Sequence, residues 1–217
     1  MAQNDWDKAK FQHPFTAIIA GPTSSGKTIL TRDIIANYKL TIAINKKPKV
    51  LWCYGQMQDV YKKPVPGITT KYHHGLVSQN QLTTIKPDII VIDDLMSEIA
   101  NEISLANLFT KHSHHMNISV IFIVQNLFYQ SKQMRTISLN AHYFILLKNP
   151  RDRLQVQNLG RQIMPGETNY FMDVYNHATR EPYSHLIVDV SATCPDHLRL
   201  RVWKKDVKGF LVYKQEK

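Results

Sequence analysis

Short apolar runs of strand length alternate along this chain with stretches whose apolar residues recur every three or four positions. Residues 15–20 (FTAIIA), 49–54 (KVLWCY), 89–92 (IIVI), 118–124 (ISVIFIV) and 142–147 (HYFILL) are aliphatic, β-branched or aromatic almost throughout. Runs this apolar predict strands buried on both faces, as in a parallel sheet covered by helices. The intervening stretches read as those helices. Residues 28–38 follow a Gly-rich turn, and residues 98–111 set Ile99, Ile103, Ala106 and Phe109 near one face, with Glu98 and Glu102 early and Lys111 late, as the helix dipole favours. Ser131 is placed to cap a short helix through residue 139, and Pro150 to open another over residues 151–163 that Pro165 and Gly166 close. Tyr170, Phe171, Val174, Tyr175 and Ala178 mark one more amphipathic helix, after which Leu186, Val188 and Val190 alternate as an antiparallel or edge strand would. Residues 62–67, with Pro64 and Pro66, read as a loop, and the carboxyl end is strand-like and basic.

Strand and helix in alternation predict an α/β fold with a central, mainly parallel sheet flanked by helices and right-handed crossovers. A length of 217 residues suits one sizeable core. The expected organisation is a single domain, with residues 1–14 an amino-terminal extension, 15–163 the core, and 164–217 a helix and strands that complete it. Hydrophobic residues make up 43% and charged residues 20%, the composition of a globular protein. The longest apolar runs are strand-sized, far from the roughly 20 residues of a membrane helix, and residues 1–15 lack the apolar stretch of a secretory signal. Cys53 and Cys194 are expected to be reduced thiols in a core. These features together predict a protein of the cytoplasm or nucleus that is not secreted.

One segment carries specific chemistry. Gly21, Pro22, Thr23, Ser24, Ser25, Gly26, Lys27 and Thr28 fit G-x-x-x-x-G-K-[ST], and they lie between a predicted strand and a predicted helix, the context this phosphate-binding loop requires. Its glycines let the backbone curl so that successive N–H groups point inward, and the helix adds its positive dipole end. Lys27 is expected to reach the β- and γ-phosphates of ATP, and the Thr28 hydroxyl to ligate Mg2+. Ile29, directly after it, completes the candidate nucleotide-binding set. A second anionic anchor for the metal comes from the apolar strand that ends in Asp93; Asp94 follows as the candidate general base, with Glu98 in reserve. Gln125, where the next strand meets its loop, is suited to sense the γ-phosphate and position the attacking water. Arg135, Arg151, Arg153 and Arg161 are candidates for an arginine finger supplied by a neighbouring subunit, Arg135 being preferred because it follows the Gln125 strand closely. His112, His114 and His115 have no Cys or carboxylate at metal-ligand spacing and read as solvated histidines at a helix end. Tyr54, Tyr61, Tyr72 and Tyr129 read as packing aromatics that would stack on bases only if they lined a channel.

Charge adds a partner. The formal net charge is +10, yet residues 88–102 hold five acids and no base; the excess sits in residues 39–71, with seven bases and one acid, and in residues 199–217, with seven bases and two acids. Such segments attract phosphate backbones and release their counterions.

The phosphate loop, the IIVIDD strand, the following strand ending in Gln125, and the stretch RTISLNAHYFILLKNPRDRLQVQNLGRQI together resemble the genome-packaging ATPases of double-stranded DNA viruses, members of the FtsK/HerA superfamily of RecA-like P-loop ATPases. The resemblance covers residues 15–202 and includes the late segment PYSHLIVDV…TCPDHLRLR. It implies that Lys27 and Thr28 bind phosphate and Mg2+, that Asp93 is the Walker B acid, Asp94 the catalytic carboxylate and Gln125 the sensor. One departure stands out: the superfamily usually has Glu where this chain has Asp94, one methylene shorter, which leaves the base open between Asp94 and Glu98. The resemblance further implies ATP hydrolysis coupled to translocation of double-stranded DNA, a pentameric or hexameric ring of copies, a capsid portal or vertex as docking partner, and association with the virion. Two other classes use the same loop: a small-molecule kinase, with Arg151, Asp152 and Arg153 as a phosphate-clamping lid, and a nucleotide-dependent switch with little turnover.

Overall fold

The computed structural model describes residues 3–95, 116–127 and 132–214. The helix expected over residues 98–111, Glu98 itself, the three histidines that follow, Tyr129 and the Ser131 cap lie outside the described residues.

In chain order the elements begin with α1 (Gln3–Ala9), β1 (Phe11–Gln12), β2 (Thr16–Ala20), α2 (Lys27–Ala36), α3 (Tyr38–Thr41), β3 (Ile42–Ala43) and β4 (Lys49–Tyr54). A 3-10 turn (Asp59–Lys62), β5 (Thr69–His74), α4 (Gln79–Ile85) and β6 (Ile89–Asp93) follow, then β7 (Ser119–Val124), α5 (Lys132–Leu139), β8 (Tyr143–Leu147), α6 (Arg153–Ile163) and α7 (Thr168–Ala178). The chain closes with β9 (His185–Asp189), a second 3-10 turn (Asp196–Leu198), β10 (Leu200–Lys204) and β11 (Gly209–Val212). Among the described residues nine strands form one sheet in the order β11-β10-β9-β8-β2-β7-β6-β4-β5. From β5 across to β8 every pairing is parallel; β9, β10 and β11 add antiparallel pairings.

The strand residues alternate between two cores, and that is why the apolar runs are continuous. Ile18, Ile90, Phe122, Phe144 and Leu186 point to one face, where Met134 and Ile137 of α5, Val156 and Leu159 of α6, and Phe171 and Val174 of α7 cover them. Ala17, Ile19, Val91, Ile121, Ile145 and Ile187 point to the other, against Ile34 and Ile35 of α2, Phe11, Tyr61 and Trp203. Each fully buried aliphatic side chain contributes about 1.5–3 kcal/mol. Cys53 and Cys194 are buried and unbridged, and burial pushes both thiols up to about 12.

Several details differ from the sequence reading. The helix expected over residues 28–38 is two: α2 stops at Ala36, Asn37 caps it, and α3 adds one turn. Pro150 does not open α6, whose first residue is Arg153 with Asp152 before it. The strand expected as antiparallel or edge is antiparallel but interior, since β9 lies between β8 and β10 with all five residues buried. The true edges are β11 and β5, and β5 (TTKYHH) carries too few apolar residues to announce itself. Arg201, counted above in a basic surface segment, is fully buried and paired with Asp189.

Candidate functional site

The phosphate loop connects β2, buried at every position, to α2. Its curl needs two left-handed residues, Ser24 at φ 62° and Gly26 at φ 94°. Gly21 is hemmed in as well: a Cβ there would meet Leu147 Cβ and Ser25 Oγ at 2.9 Å each. Helix α2 then starts without a side-chain cap, as α6 and α7 also do. Its first turn holds no acid, whereas α4 opens with a capping box in which the Ser78 and Gln81 side chains take each other's backbone N–H groups. The first-turn N–H groups of α2 have no such side-chain partners, which is the arrangement that receives an anion.

The Lys27 ammonium donates to the carbonyls of Gly21 at 2.6 Å and Pro22 at 2.7 Å. Burial pulls its pKa down, and the carboxylates of Asp93 and Asp94 act in the opposite direction. Across the sheet β6 delivers Asp93 to the same place. It is separated from β2 by one strand: β7 lies between them, with Val124 beside Ala20 and Ile123 beside Asp93. The arrangement has a use, because Gln125 follows Val124 and therefore emerges between the loop and the acid pair.

Asp93 is 3% exposed, and its Oδ2 accepts from the Thr28 hydroxyl at 3.0 Å and from the Tyr61 hydroxyl at 2.7 Å. Burial raises its pKa, while these two hydrogen bonds and Lys27 pull it down. Asp94 turns away with φ 57°, a left-handed conformation uncommon outside glycine. Gly55 makes the turn possible: its N–H donates to the Asp93 carbonyl at 3.0 Å, and a Cβ there would sit 2.2 Å from the Asp94 carbonyl oxygen. The Gln125 amide lies 3.5 Å from Asp94 Oδ1.

Lys27, Thr28, Asp93, Asp94 and Gln125 line one cavity of about 910 Å³. Thr23 through Ile29 line one wall, and Asp93, Asp94 and Gln125 the opposite one. Gly21 and Pro22 serve differently, since their carbonyls hold Lys27. Arg135, Arg151, Arg153 and Arg161 are exposed, and among the described residues no arginine lines the cavity.

The donor set fits the nucleotide and its metal. The Ser25 hydroxyl is buried without a hydrogen-bond partner, beside backbone N–H groups aimed at an anion. Thr28 Oγ1 and Asp93 Oδ2, 3.0 Å apart, are hard oxygen ligands of the kind Mg2+ selects, and the hydroxyl keeps lone pairs free while it donates to the carboxylate.

Sequence reasoning missed three participants. Tyr61 read as a packing aromatic; its ring does pack, 4.9 Å from Tyr54, 5.9 Å from Trp52 and 5.5 Å from Tyr72, but its hydroxyl is aimed at Asp93. Gly55 and Tyr183 were also passed over. A positive φ, at Asp94 beside Gly55 and at Tyr183 itself, lies behind two of these contacts and is invisible in composition.

No protein-family model matches the chain, and no curated protein matches it by sequence. Solved structures do. The DNA-packaging ATPase B204 of Sulfolobus turreted icosahedral virus superposes with a TM-score of 0.58 at 13% identity, covering 94% of this chain and 100% of that one. The genome packaging NTPase B204 of Sulfolobus turreted icosahedral virus 2 in complex with ATP-gammaS gives 0.55 at 13% identity over 93% and 97% of the two chains. The same NTPase in complex with AMP gives 0.55 at 10% identity over 93% and 98%. At such identities the likeness is one of fold: a mainly parallel sheet flanked by helices, shared with these packaging NTPases.

Proposed function

We propose that the chain is a Mg2+-dependent ATPase that drives double-stranded DNA, a viral genome, into a capsid as a pentameric or hexameric ring of copies docked at a portal or vertex. One observation carries the hydrolytic part: the Asp93 carboxylate is held by Thr28 of the phosphate loop and by the buried Tyr61 hydroxyl, and Thr28, Asp93, Asp94 and Gln125 line the same cavity as Lys27. In this reading the loop N–H groups and Lys27 bind and orient the triphosphate. Asp94 takes the proton of the attacking water and Gln125 holds that water in line, their 3.5 Å separation keeping base and sensor in one unit. Mg2+, held by Thr28 and Asp93, supplies charge neutralisation at the phosphates.

The DNA part rests on the +10 net charge and on the likeness to proteins described as packaging NTPases. A cavity without an arginine among the described residues suits a finger supplied in trans, with Arg135 first in line. The working unit is a single domain, residues 1–14 an extension and 164–217 its completion, acting in the host cytoplasm or nucleus and on the virion. No helix among the described residues is long and apolar enough to cross a membrane. The kinase reading loses its support, since Arg151, Asp152 and Arg153 do not line the cavity.

The test is ATP hydrolysis measured with and without double-stranded DNA, beside the solution mass with and without nucleotide. The proposal expects DNA to stimulate turnover, DNA binding to weaken steeply with salt, and nucleotide to favour a ring. Equal turnover in both conditions together with no salt-dependent DNA binding would refute translocation. Negligible hydrolysis with tight nucleotide binding would return the switch reading.

A further inference from the structure

The cavity has a second end. Beyond Thr28 its wall is made by Ile29, Leu30 and Asp33 of α2 with Tyr183 and Lys205 of the carboxyl-terminal part. Asp33 lies five residues past Thr28, about 7–8 Å along a helix that advances 1.5 Å per residue. This end carries no role in the chemistry above.

Tyr183 is out of place as a packing residue, being 71% exposed with a φ of 64°. Residues 181–184 form a turn in which Ser184 N donates to the Glu181 carbonyl at 3.3 Å. Pro182 occupies its second position and Tyr183 its third, and a turn with Pro second and positive φ third ordinarily carries Gly or Asn there. An exposed aromatic ring in that conformation is strained with no burial to offset it. Its ring instead covers the phosphate loop: a Cβ built on Gly26 would lie 3.0 Å from Tyr183 Cδ1. Ile29, 61% exposed, presents an apolar side chain to the same space.

We propose that Tyr183 and Ile29 form a stacking site for the base of the bound nucleoside triphosphate, and that this site takes purines without distinguishing adenine from guanine. The proposal rests on the nucleotide-binding reading above. Base tolerance follows from the polar groups at this end. Asp33 Oδ1 is engaged by Lys205 at 2.8 Å and Asp33 Oδ2 by the Trp203 indole N–H at 2.9 Å. Among the described residues Asp33 is the carboxylate at this end and it is committed to protein donors, so the π face discriminates chiefly by stacking strength.

The experiment titrates ATP, GTP, CTP and tripolyphosphate into the full chain and into Tyr183→Ala, Tyr183→Trp and Tyr183→Gly. Wild type binds ATP and GTP within about threefold of each other and CTP more weakly. Tyr183→Ala and Tyr183→Gly lose about tenfold for both purine nucleotides while tripolyphosphate binds as before, and Tyr183→Trp retains purine affinity. Tyr183→Gly in addition melts higher than wild type, because glycine relieves the turn. Equal losses of ATP and tripolyphosphate in Tyr183→Ala would mean that the ring only shapes the phosphate loop, and unchanged ATP binding would mean that it touches no base. A strong preference for ATP over GTP in wild type would overturn the base tolerance. If wild type binds tripolyphosphate and ATP equally well, the stacking site falls while the phosphate site stands; if it binds neither, both fall.

Discussion

Two aspartates are buried in this molecule to nearly the same degree, Asp93 at 3% and Asp189 at 2%, and their surroundings assign them opposite work. Asp189 is closed. One oxygen takes the Arg201 guanidinium at 2.9 Å and the other takes the Ser191 N–H at 3.1 Å together with the Ser191 hydroxyl. Arg201 in turn donates to the Leu198 carbonyl and lies over the rings of Tyr143 and Phe210 at 5.7 and 5.6 Å. Among the described residues no cation contacts Asp93. Its two partners are neutral hydroxyls that orient the carboxylate without cancelling its charge, and Lys27 acts on it only through space. A buried carboxylate with hydroxyl partners and no cation bonded to it among the described residues is suited to receive one, whereas a buried carboxylate locked to arginine is architecture.

Substitution separates the two. Asp189→Ala leaves Arg201 charged and unpaired in the core and should destabilise by about 3–5 kcal/mol, read by chemical denaturation. Replacing Asp189 and Arg201 together by apolar residues of similar volume should restore most of that loss; if it does not, the pair contributes more than mutual neutralisation. Asp93→Asn should do the reverse, keeping the fold while Mg2+-dependent hydrolysis falls by about a hundredfold, some 2.7 kcal/mol of transition-state stabilisation. An Asp93→Asn protein that hydrolyses ATP normally would remove Asp93 from the metal site.

The same contrast shows what a sequence can carry. The phosphate loop is eight consecutive residues whose chemistry is local, and Asp93, Asp94 and Gln125 stand where apolar runs stop, so a strand-end rule finds them. Tyr61 reaches Asp93 across 32 positions from a 3-10 turn at the start of the stretch read as a loop. Its aim is set by rings of Trp52, Tyr54 and Tyr72 and by Arg32, which donates to Tyr72 and to the carbonyls of Lys63 and Pro64. No spacing rule encodes a contact made by packing. Arg201 misled for the related reason that net charge counts a buried guanidinium as surface.

Tyr61→Phe sharpens the comparison at smaller scale. The ring and its packing stay, one donor to Asp93 is lost, and hydrolysis should fall by about tenfold or less, in line with roughly 1.5 kcal/mol for a hydrogen bond to a charged group. Since that bond lowers the Asp93 pKa, its loss should also move the acid limb of the pH–rate profile upward. A purely structural tyrosine would lower the melting temperature and leave the limb where it was.

The smallest effect is the most diagnostic, because it has the unexpected sign. Burial is the largest influence on Asp93 and raises its pKa above the ordinary 3.8, so the folded protein holds this proton more tightly than the unfolded chain does. Whatever stability the protonated group contributes is therefore present at low pH and lost as pH rises through the raised value; at neutral pH the ionised carboxylate is a burden on the fold. Asp93→Asn removes that burden, and its amide oxygen can still accept from Thr28 and Tyr61. The variant should melt slightly above wild type at pH 7, with the difference closing as pH falls toward the Asp93 titration. Mg2+ with nucleotide should raise the melting temperature of wild type more than that of Asp93→Asn, since the phosphate loop binds nucleotide in both and only the carboxylate gains a cation on binding. A variant less stable than wild type at pH 7, closing the gap on acidification, would show that Asp93 is held by its neighbours as firmly as Asp189 is, and the contrast between the two would be lost.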